Sequence, residues 1–259
     1  MGEPVKVSID GAVGRITLSN PEKFNCLSMD VWTRIDEARR EFESNGAVRV
    51  ILLDAEGKHF CTGANLEEVK RVKQDSAELD KFIGLGLAAL DGLEASSLPF
   101  VIAVQGLCLA GGLELMLGGD VLFAAKSAQF GDQHSQFGLV PGWGGSQRLT
   151  RLIGLRRALD LYYSARWISA DDAASIGLVN YVVEDEKLLE DALAYCKMLS
   201  EKSREGLGHM KVLARQGLDM PLADSLEFER RIATPYLTSE DVAEGLEAFE
   251  ARRKPNFKT

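Results

Sequence analysis

Apolar and polar residues alternate in two short runs near the N-terminus, at positions 4–10 and 13–19. Alternation with a period of two is typical of strands that are buried on one face, and the Asp10-Gly11 pair between the runs favours a tight hairpin turn. A helix with one apolar stripe is predicted next, capped by Ser28. An almost wholly apolar run follows this helix and predicts a strand that is covered on both faces. Strand, helix and strand would form a parallel βαβ unit.

The segment at 102–120 has a different pattern. An apolar, β-branched run breaks at Gly106 and resumes at 110–112, which predicts a buried strand, a tight turn and a buried helix. Glu114 falls on the apolar face of that helix, where burial would raise its pKa toward the range of a general acid or base. The glycines before it place backbone N–H groups at a helix N-terminus, where negative charge is stabilised. A lone Glu that reaches solvent from a short amphipathic helix is the alternative interpretation.

The last third of the chain is almost entirely helical by its pattern. Ser76 and Ser146 are predicted to cap earlier helices, and a short strand is predicted at 179–183. The helical segments predicted after this strand cover 184–202, 206–217 and 222–259. We therefore predict an α/β core over residues 1–200, followed by a helical C-terminal region over residues 201–259.

Composition and charge narrow the possible functions. Of the 259 residues, 46% are hydrophobic, which suffices for a sizeable core, and the net charge of −9 argues against nucleic acid and anionic membrane surfaces as partners. The N-terminus lacks the apolar region of a secretion signal and no apolar run has the length of a transmembrane helix, so a cytoplasmic location is expected. The four Cys and three His residues are widely scattered, which favours reduced thiols and no metal site.

Several short motifs occur in a fixed order from Leu18 to the end of the chain. They lie at 60–66, 102–120, 128–131, 139–149, 168–170, 177–179 and 249–257. No single motif is decisive, but the ordered set is highly specific. Together the motifs make the chain resemble the enoyl-CoA hydratase/isomerase (crotonase) superfamily.

The resemblance implies both a fold class and a chemistry. The expected fold is an α/β, crotonase-like spiral of ββα repeats with a C-terminal helical trimerisation region, assembled as a homotrimer or a dimer of trimers. The family binds acyl thioesters of coenzyme A as substrates, and no permanently bound cofactor is expected. By the matching motifs, the backbone N–H groups of Ala64 and Gly111 would hold the thioester oxygen. Such donors stabilise the charge that develops on oxygen as the carbonyl becomes an enolate.

The pair formed by Glu114 and His134 leaves the reaction open. In hydratases resembling this chain one Glu lies where Glu114 stands, but a second Glu lies where His134 stands. Hydration of a 2-enoyl-CoA needs one group to activate water and another to deliver a proton to the α-carbon, and imidazole can serve in either role. Alternatively, His134 directs water at a carbonyl carbon in a retro-Claisen cleavage of a β-keto or cyclic acyl-CoA. In both cases Asp132 is placed to orient the imidazole if the geometry permits.

Two further interpretations stay open. Glu114 alone could shuttle protons in an isomerase, although familiar isomerases keep the acid at the other position. A catalytically reduced acyl-CoA-binding or scaffolding member of an oligomer is the alternative from a different class. Separately, His134 could be a loop side chain that makes a hydrogen bond near the pocket without chemistry. We rank the hydratase first because Glu114 and both oxyanion donors are retained, and a binding protein has less need of a costly buried carboxylate.

Contacts to coenzyme A are predicted from several parts of the chain. The loop at 23–27 resembles the family loop that passes over the coenzyme, and the C-terminal contacts would come from the same chain or from a neighbouring subunit. Trp143 is bulkier than the small residue common at its position, so it would narrow the acyl pocket, unless it simply packs in the core. The predicted binding residues are Lys23, Phe24, Cys26, Asn65, Leu66, Trp143, Lys254 and Phe257, with Lys58, Arg253 and Lys258 as further candidates for the phosphates.

Overall fold

The computed structural model describes residues 3–258 of the protein. Within this range the chain forms nine strands and eleven α-helices. The strands are β1 (Val5–Asp10), β2 (Val13–Leu18), β3 (Val50–Ala55), β4 (Phe100–Val104), β5 (Leu107–Leu109), β6 (Val121–Ala125), β7 (Gln129–Gly131), β8 (Ile168–Ser169) and β9 (Tyr181–Val183). The helices are α1 (Met29–Ser44), α2 (Leu66–Val72), α3 (Ser76–Ala95), α4 (Gly111–Leu117), α5 (Gly145–Ile153), α6 (Leu155–Ser164), α7 (Ala170–Ser175), α8 (Leu188–Ser200), α9 (Arg204–Gly217), α10 (Leu222–Tyr236) and α11 (Glu240–Glu250).

Six strands form the main sheet in the order β1-β2-β3-β4-β6-β9. β1 and β2 pair antiparallel, whereas each later pair of neighbours is parallel. The predicted hairpin is confirmed, and Gly11 in its turn has a φ of 58°, which glycine adopts without strain. The predicted βαβ unit is confirmed as well. Because parallel strands point the same way, the segments that follow β3 and β4 emerge at one edge of the sheet.

Helix α1 shows how the apolar pattern builds the core. The stripe formed by Val31, Ile35, Ala38 and Phe42 is buried, and the hydroxyl of Ser28 accepts a hydrogen bond from the N–H of Val31 at 3.2 Å. α1 packs against α3, and α8 packs on β3, β4 and β6. The amphipathic pattern and its cap are therefore confirmed.

A second, three-stranded sheet has the order β5-β7-β8. The predicted succession of strand, turn and helix over 102–120 misses β5, which lies between Gly106 and α4. A strand of three residues is too short to show a period of two. β5 matters for the site because an isolated parallel bridge joins Cys108 to Cys61, in the segment after β3.

Two predicted helix caps are wrong. Asp75, not Ser76, caps α3, and its carboxylate accepts a hydrogen bond from the N–H of Ala77 at 2.8 Å. An ionised carboxylate is the stronger acceptor of the two neighbours. Ser146 lies inside α5, which starts after Gly144 at a φ of 89°. The left-handed conformation that only glycine tolerates well sets this boundary.

The sequence predicts one helical segment from Leu222 to the end of the chain, and this prediction is wrong. α10 ends at Tyr236, and Ser239 caps a separate helix α11 by accepting from the N–H of Val242 at 3.3 Å. Pro235, which lacks an N–H, lies in the last turn of α10 and favours its end there. The division of the chain at residues 200 and 201 stays a prediction.

Ionic contacts attach α9 to the core. The buried ammonium of Lys211 lies 2.8 Å from Oδ2 of Asp120 and donates to the carbonyl of Leu93 at 2.8 Å. Arg215 pairs with Asp120 and with Glu94 of α3, both at 2.8 Å. These contacts join α9 to the end of α3 and to the segment that follows α4. In the part of the chain that the structure describes, no helix is long and apolar enough to cross a membrane.

Candidate active site

Glu114 is buried in α4, and its two carboxylate oxygens have different surroundings. The residue is 2% exposed. Oε1 accepts hydrogen bonds from the backbone N–H groups of Trp143, at 2.8 Å, and Gly145, at 2.9 Å. Oε2 lies 3.6 Å from Nε2 of His134. The interpretation of Glu114 as a solvent-reaching side chain is therefore wrong: one oxygen is held by the backbone, whereas the other faces a second ionisable group.

His134 opens a short 3₁₀ turn that follows β7. Asp132 anchors this turn, because its Oδ1 accepts from the backbone N–H of His134 at 3.1 Å and both carboxylate oxygens lie 3.0 Å from Nδ1 of the imidazole. An ionised carboxylate only accepts hydrogen bonds, so this contact assigns a proton to Nδ1. Nε2 is left facing Glu114. Asp132 thus has the geometry that the orienting role requires.

Burial and charge shift both pKa values upward. Burial raises the pKa of Glu114, and this effect outweighs the N–H of Gly145, the charge of His134 and the N–H of Trp143, which lower it. For His134, burial alone would lower the pKa, but the hydrogen bond and charge of Asp132 and the charge of Glu114 together raise it. An imidazole between two carboxylates therefore holds its proton at a higher pH than a free imidazole.

The two predicted oxyanion donors lie side by side. A Cβ built on Gly111 would lie 3.4 Å from the backbone nitrogen of Ala64, and a Cβ built on Gly63 would lie 3.4 Å from that of Gly111. The Cys61–Cys108 bridge brings the two segments together. Within residues 3–258, neither N–H has a hydrogen-bond acceptor in the protein. Two unengaged donors at one point suit a ligand oxygen that carries negative charge.

Known proteins share this architecture over the whole chain. The family described as enoyl-CoA hydratase/isomerase matches residues 8–259. A probable enoyl-CoA hydratase from Rhizobium meliloti is 35% identical over 256 residues, which cover 99% of this chain and 98% of the relative. A short-chain-enoyl-CoA hydratase from Clostridium acetobutylicum is 32% identical over 95% of this chain and 94% of the relative. The crystal structure of an enoyl-CoA hydratase from Polaromonas superposes with a TM-score of 0.94 at 29% identity, covering 98% of this chain and 99% of that one.

The chain belongs to the enoyl-CoA hydratase/isomerase family. Its fold is the crotonase fold, as the sequence predicts. The departure at His134 now has a structural context. The imidazole lies opposite Glu114 at 3.6 Å, so two unlike ionisable groups face each other at this point.

The loop predicted to pass over coenzyme A lies beside the Ala64 donor. Leu27 and Ala64 form a parallel bridge, and the N–H of Thr62 donates to the carbonyl of Phe24 at 3.2 Å. Phe24 is half exposed and adopts a φ of 53°. Lys23 lies 3.4 Å from the carboxylate of Glu67, so its ammonium has an acidic neighbour. The structure thus places the predicted residues of this loop around one edge of the site.

Three other predicted contacts lie in or near the same loop. Cys26 is partly buried, and burial raises the pKa of its thiol. Asn65 caps α2, with its side-chain oxygen accepting from the N–H of Glu67 at 3.0 Å and of Glu68 at 3.2 Å. Asn65 thus serves as the N-cap of α2, whereas its predicted contact with coenzyme A stays a prediction. Leu66, the first residue of α2, is half exposed and available to a ligand.

The C-terminal contacts do not reach this site within one chain. The carbonyl of Phe257 accepts from the guanidinium of Arg49 at 2.9 Å, and Lys254 pairs with Glu201 at 3.3 Å. Arg49 precedes β3, whereas the Ala64 donor follows its other end. Lys254 and Phe257 therefore stay a prediction for a neighbouring subunit. The other two C-terminal candidates are also paired with acids, Arg253 with Glu244 and Lys258 with Glu240.

The backbone of the loop before α5 is a part of the site that the sequence did not reveal. Its N–H groups at positions 143 and 145 hold Glu114, and a Cβ at Gly145 would approach Cγ of Glu114 to 2.9 Å. The Gly144-Gly145 pair was the available signal, but its default interpretation is a tight turn. No cluster of three or more potential metal ligands occurs among the described residues.

Proposed function

We propose that this protein hydrates 2-enoyl-CoA thioesters. The observation that carries the proposal is the pair of Glu114 and His134, whose facing atoms lie 3.6 Å apart, together with two unengaged backbone N–H groups, one of which begins the helix that carries Glu114. The N–H groups of Ala64 and Gly111 would hold the thioester oxygen and stabilise the enolate. Membership of the enoyl-CoA hydratase/isomerase family supports the substrate class. Coenzyme A then arrives as part of the substrate.

The surroundings of each group support an assignment of roles. Glu114 would be the base, because Oε1 is occupied by two N–H donors and Oε2 is free to take a proton from water. His134 would be the acid, because its raised pKa favours the imidazolium. As the water oxygen bonds to the β-carbon, Glu114 gains one proton and His134 gives one to the α-carbon. Transfer of the proton from Glu114 to His134 then restores the starting state.

Retro-Claisen hydrolysis is the second candidate, favoured by the contact between Asp132 and His134. A carboxylate that fixes a His tautomer is typical of a base that directs water at a carbonyl carbon. That role requires a neutral imidazole before the reaction, whereas the raised pKa of His134 favours the charged one. Hydration therefore ranks first.

Incubation with crotonyl-CoA in deuterated water tests the proposal. We expect loss of the conjugated thioester absorbance, with a hydrated, deuterium-containing product by mass spectrometry. Glu114→Gln and His134→Gln should each lower the rate by roughly 10²- to 10⁴-fold, the usual contribution of general acid–base catalysis. His209→Gln, in the partly exposed His of α9, serves as the matched control. Hydration that survives Glu114→Gln would overturn the assignment, and cleavage of a 3-oxoacyl thioester without hydration would favour the second candidate.

A further inference from the structure

The indole of Trp143 fills the gap between α3 and the start of α4. A Cβ on Gly86 of α3 would clash with Cδ1 and Nε1, on one edge of the ring. A Cβ on Gly111 would lie 2.6 Å from Cζ3 and 3.0 Å from Cε3, on the opposite edge. The ring therefore touches both helices at positions where neither has a side chain. Its width matches the distance between two glycines.

Neighbouring aromatic rings keep the indole in this position. Trp32 contacts it in a T-shaped arrangement, with ring centroids 4.9 Å apart, and Phe82 lies 5.1 Å away. Nε1 of Trp143 donates to the carbonyl of Phe82 at 3.4 Å, and the residue is only 3% exposed. A ring packed on both edges and held by a hydrogen bond does not swing aside at low cost.

The same residue touches both parts of the proposed catalytic site. Its backbone N–H donates to Glu114, while its ring lies against Gly111, a proposed donor to the thioester oxygen. An acyl chain attached to that carbonyl would meet the indole on the side of α3. With a small side chain at position 143, this space would form an apolar continuation of the site, bounded by Gly86, Trp32 and Phe82.

We propose that Trp143 closes the acyl pocket and restricts the enzyme to short-chain 2-enoyl-CoA thioesters. Gly86 is the second determinant, because only a residue without a side chain leaves room for the ring. This inference rests on the proposed function and specifies its substrate class. The ring limits the length of the acyl chain, whereas the backbone N–H of the same residue holds Glu114. Chain-length preference and catalysis can therefore be changed separately.

Chain-length profiles of the wild type and of Trp143→Ala test the inference. We expect kcat/KM of the wild type to fall steeply from crotonyl-CoA to hexenoyl-CoA and octenoyl-CoA. Removal of the indole opens an apolar space, and spaces of about 150 Å³ can stay dry and accept apolar ligands. In Trp143→Ala each added methylene should therefore raise kcat/KM, relative to crotonyl-CoA, by roughly fourfold, which corresponds to about 0.8 kcal/mol per buried methylene. Trp143→Leu should give an intermediate profile and serves if the alanine variant does not fold.

Two further variants sharpen the test. Phe42→Ala creates a large cavity beside Gly14 of β2, away from the α3–α4 gap, and should leave the chain-length profile unchanged. Gly86→Ala pushes the ring toward Gly111 and should lower activity on every chain length, an effect that Trp143→Leu in the same chain should relieve. A wild type that hydrates octenoyl-CoA as well as crotonyl-CoA would overturn the inference, as would parallel profiles of wild type and Trp143→Ala.

Binding measurements separate this inference from the proposed function. Saturated butyryl-, hexanoyl- and octanoyl-CoA cannot be hydrated, so their dissociation constants report pocket depth whatever the reaction is. We expect the wild type to bind butyryl-CoA most tightly and Trp143→Ala to prefer octanoyl-CoA. If this reversal occurs without hydration of any enoyl-CoA, the proposed reaction fails and the role of Trp143 stands. If hydration occurs without the reversal, the role of Trp143 fails alone.

Discussion

The carboxylate of Asp132 lies 3.0 Å from Nδ1 of His134, and its hydrogen bond and charge raise the pKa of that imidazole. Asp132 is buried, and so is most of the His134 side chain, so water screens their interaction poorly. Oδ1 of Asp132 also accepts a hydrogen bond from the backbone N–H of His134, which holds the carboxylate beside the imidazole. The proton affinity of Nε2, which faces Glu114, therefore depends on a carboxylate that is bound at the other ring nitrogen.

Replacement of Asp132 by Asn should change the pH dependence of hydration. The negative charge raises the pKa of His134, and the proposed acid must be protonated, so activity is present below that pKa and is lost as pH rises through it. Without the charge, this basic limb of kcat/KM should move to lower pH. Asp160→Asn, which removes an exposed partner of Arg166, is the control and should leave the limb in place. A basic limb that does not move in Asp132→Asn would exclude this role.

The loop before α5 and helix α3 act together on Glu114. Arg148 of α5 donates from Nη1 to the carbonyl of Trp143 at 3.0 Å and contacts both oxygens of Glu94, at 3.0 and 2.8 Å. Trp143 thus accepts a hydrogen bond at its carbonyl from Arg148 and donates one from its N–H to Glu114. Through Glu94 and Arg215, the same network of contacts extends to α9.

Arg148→Met should impair catalysis more than binding. Without the charged donor, whose hydrogen bonds typically contribute about 1.5–3 kcal/mol, the loop should hold Glu114 less well. We expect kcat to fall by roughly tenfold with little change in KM. The acid limb of the pH profile should move to higher pH, because weaker N–H contacts leave the pKa of Glu114 further raised by burial. Arg39→Met removes a comparably buried ion-paired Arg from α1 and controls for lost stability. Equal losses of kcat in Arg148→Met and Arg39→Met would show that Arg148 contributes only to stability.

The sequence predicts some secondary-structure elements well and others poorly. The stripe of α1 and the caps Ser28 and Asn65 follow from local rules, because the signal lies within the element itself. β5 escapes prediction because three residues carry no period, and its pairing partner lies over twenty residues further along. The N–H groups that hold Glu114 escape for a related reason. A backbone donor has no residue type of its own, and no matching motif assigns these two, so only the fold reveals them.

The surface of the whole molecule carries an apolar area on the C-terminal helices. α10 has no buried residue within the described chain, although its sequence is amphipathic. The large apolar side chains exposed on α10, α11 and the segment between them are Leu222, Leu226, Leu237, Leu246 and Phe249. Such an area is typical of a surface that another protein covers. It supports the proposal that copies of this chain form a homotrimer or a dimer of trimers.

Leu226→Glu should weaken that assembly. A charge buried in an apolar interface is costly, so the mass measured by light scattering should fall from a multiple of the monomer to a smaller species. If Lys254 and Phe257 contact coenzyme A in a neighbouring subunit, KM should rise in parallel. Ile9→Glu, at an exposed apolar position of β1, is the control. An unchanged mass in Leu226→Glu would show that α10 lies outside the interface.

In the molecule as a whole, the sequence predicts some features and leaves others open. Family motifs predict the fold and the neighbourhood of Glu114, His134, Ala64 and Gly111, since each motif carries its own geometry. They do not predict that the C-terminal tail lies at the far end of β3 from Ala64, because a tail can dock on its own chain or on another. They also leave the width of the acyl pocket open, since it depends on the match between Trp143 and a glycine on another helix.

The backbone β-bridge between Cys61 and Cys108, whose thiols are free, makes the proposed oxyanion site observable without any substrate. Both thiols are buried, and burial raises the pKa of Cys61 to about 12 and that of Cys108 well above its usual value. Since only the thiolate reacts, an alkylating reagent modifies them when the two segments separate. The modification rate, followed residue by residue by mass spectrometry, therefore measures the free energy of local opening at the bridge. A bound acyl-CoA should slow this rate by the factor 1 + [L]/Kd, so the alkylation rate of the two cysteines reports occupancy of the site.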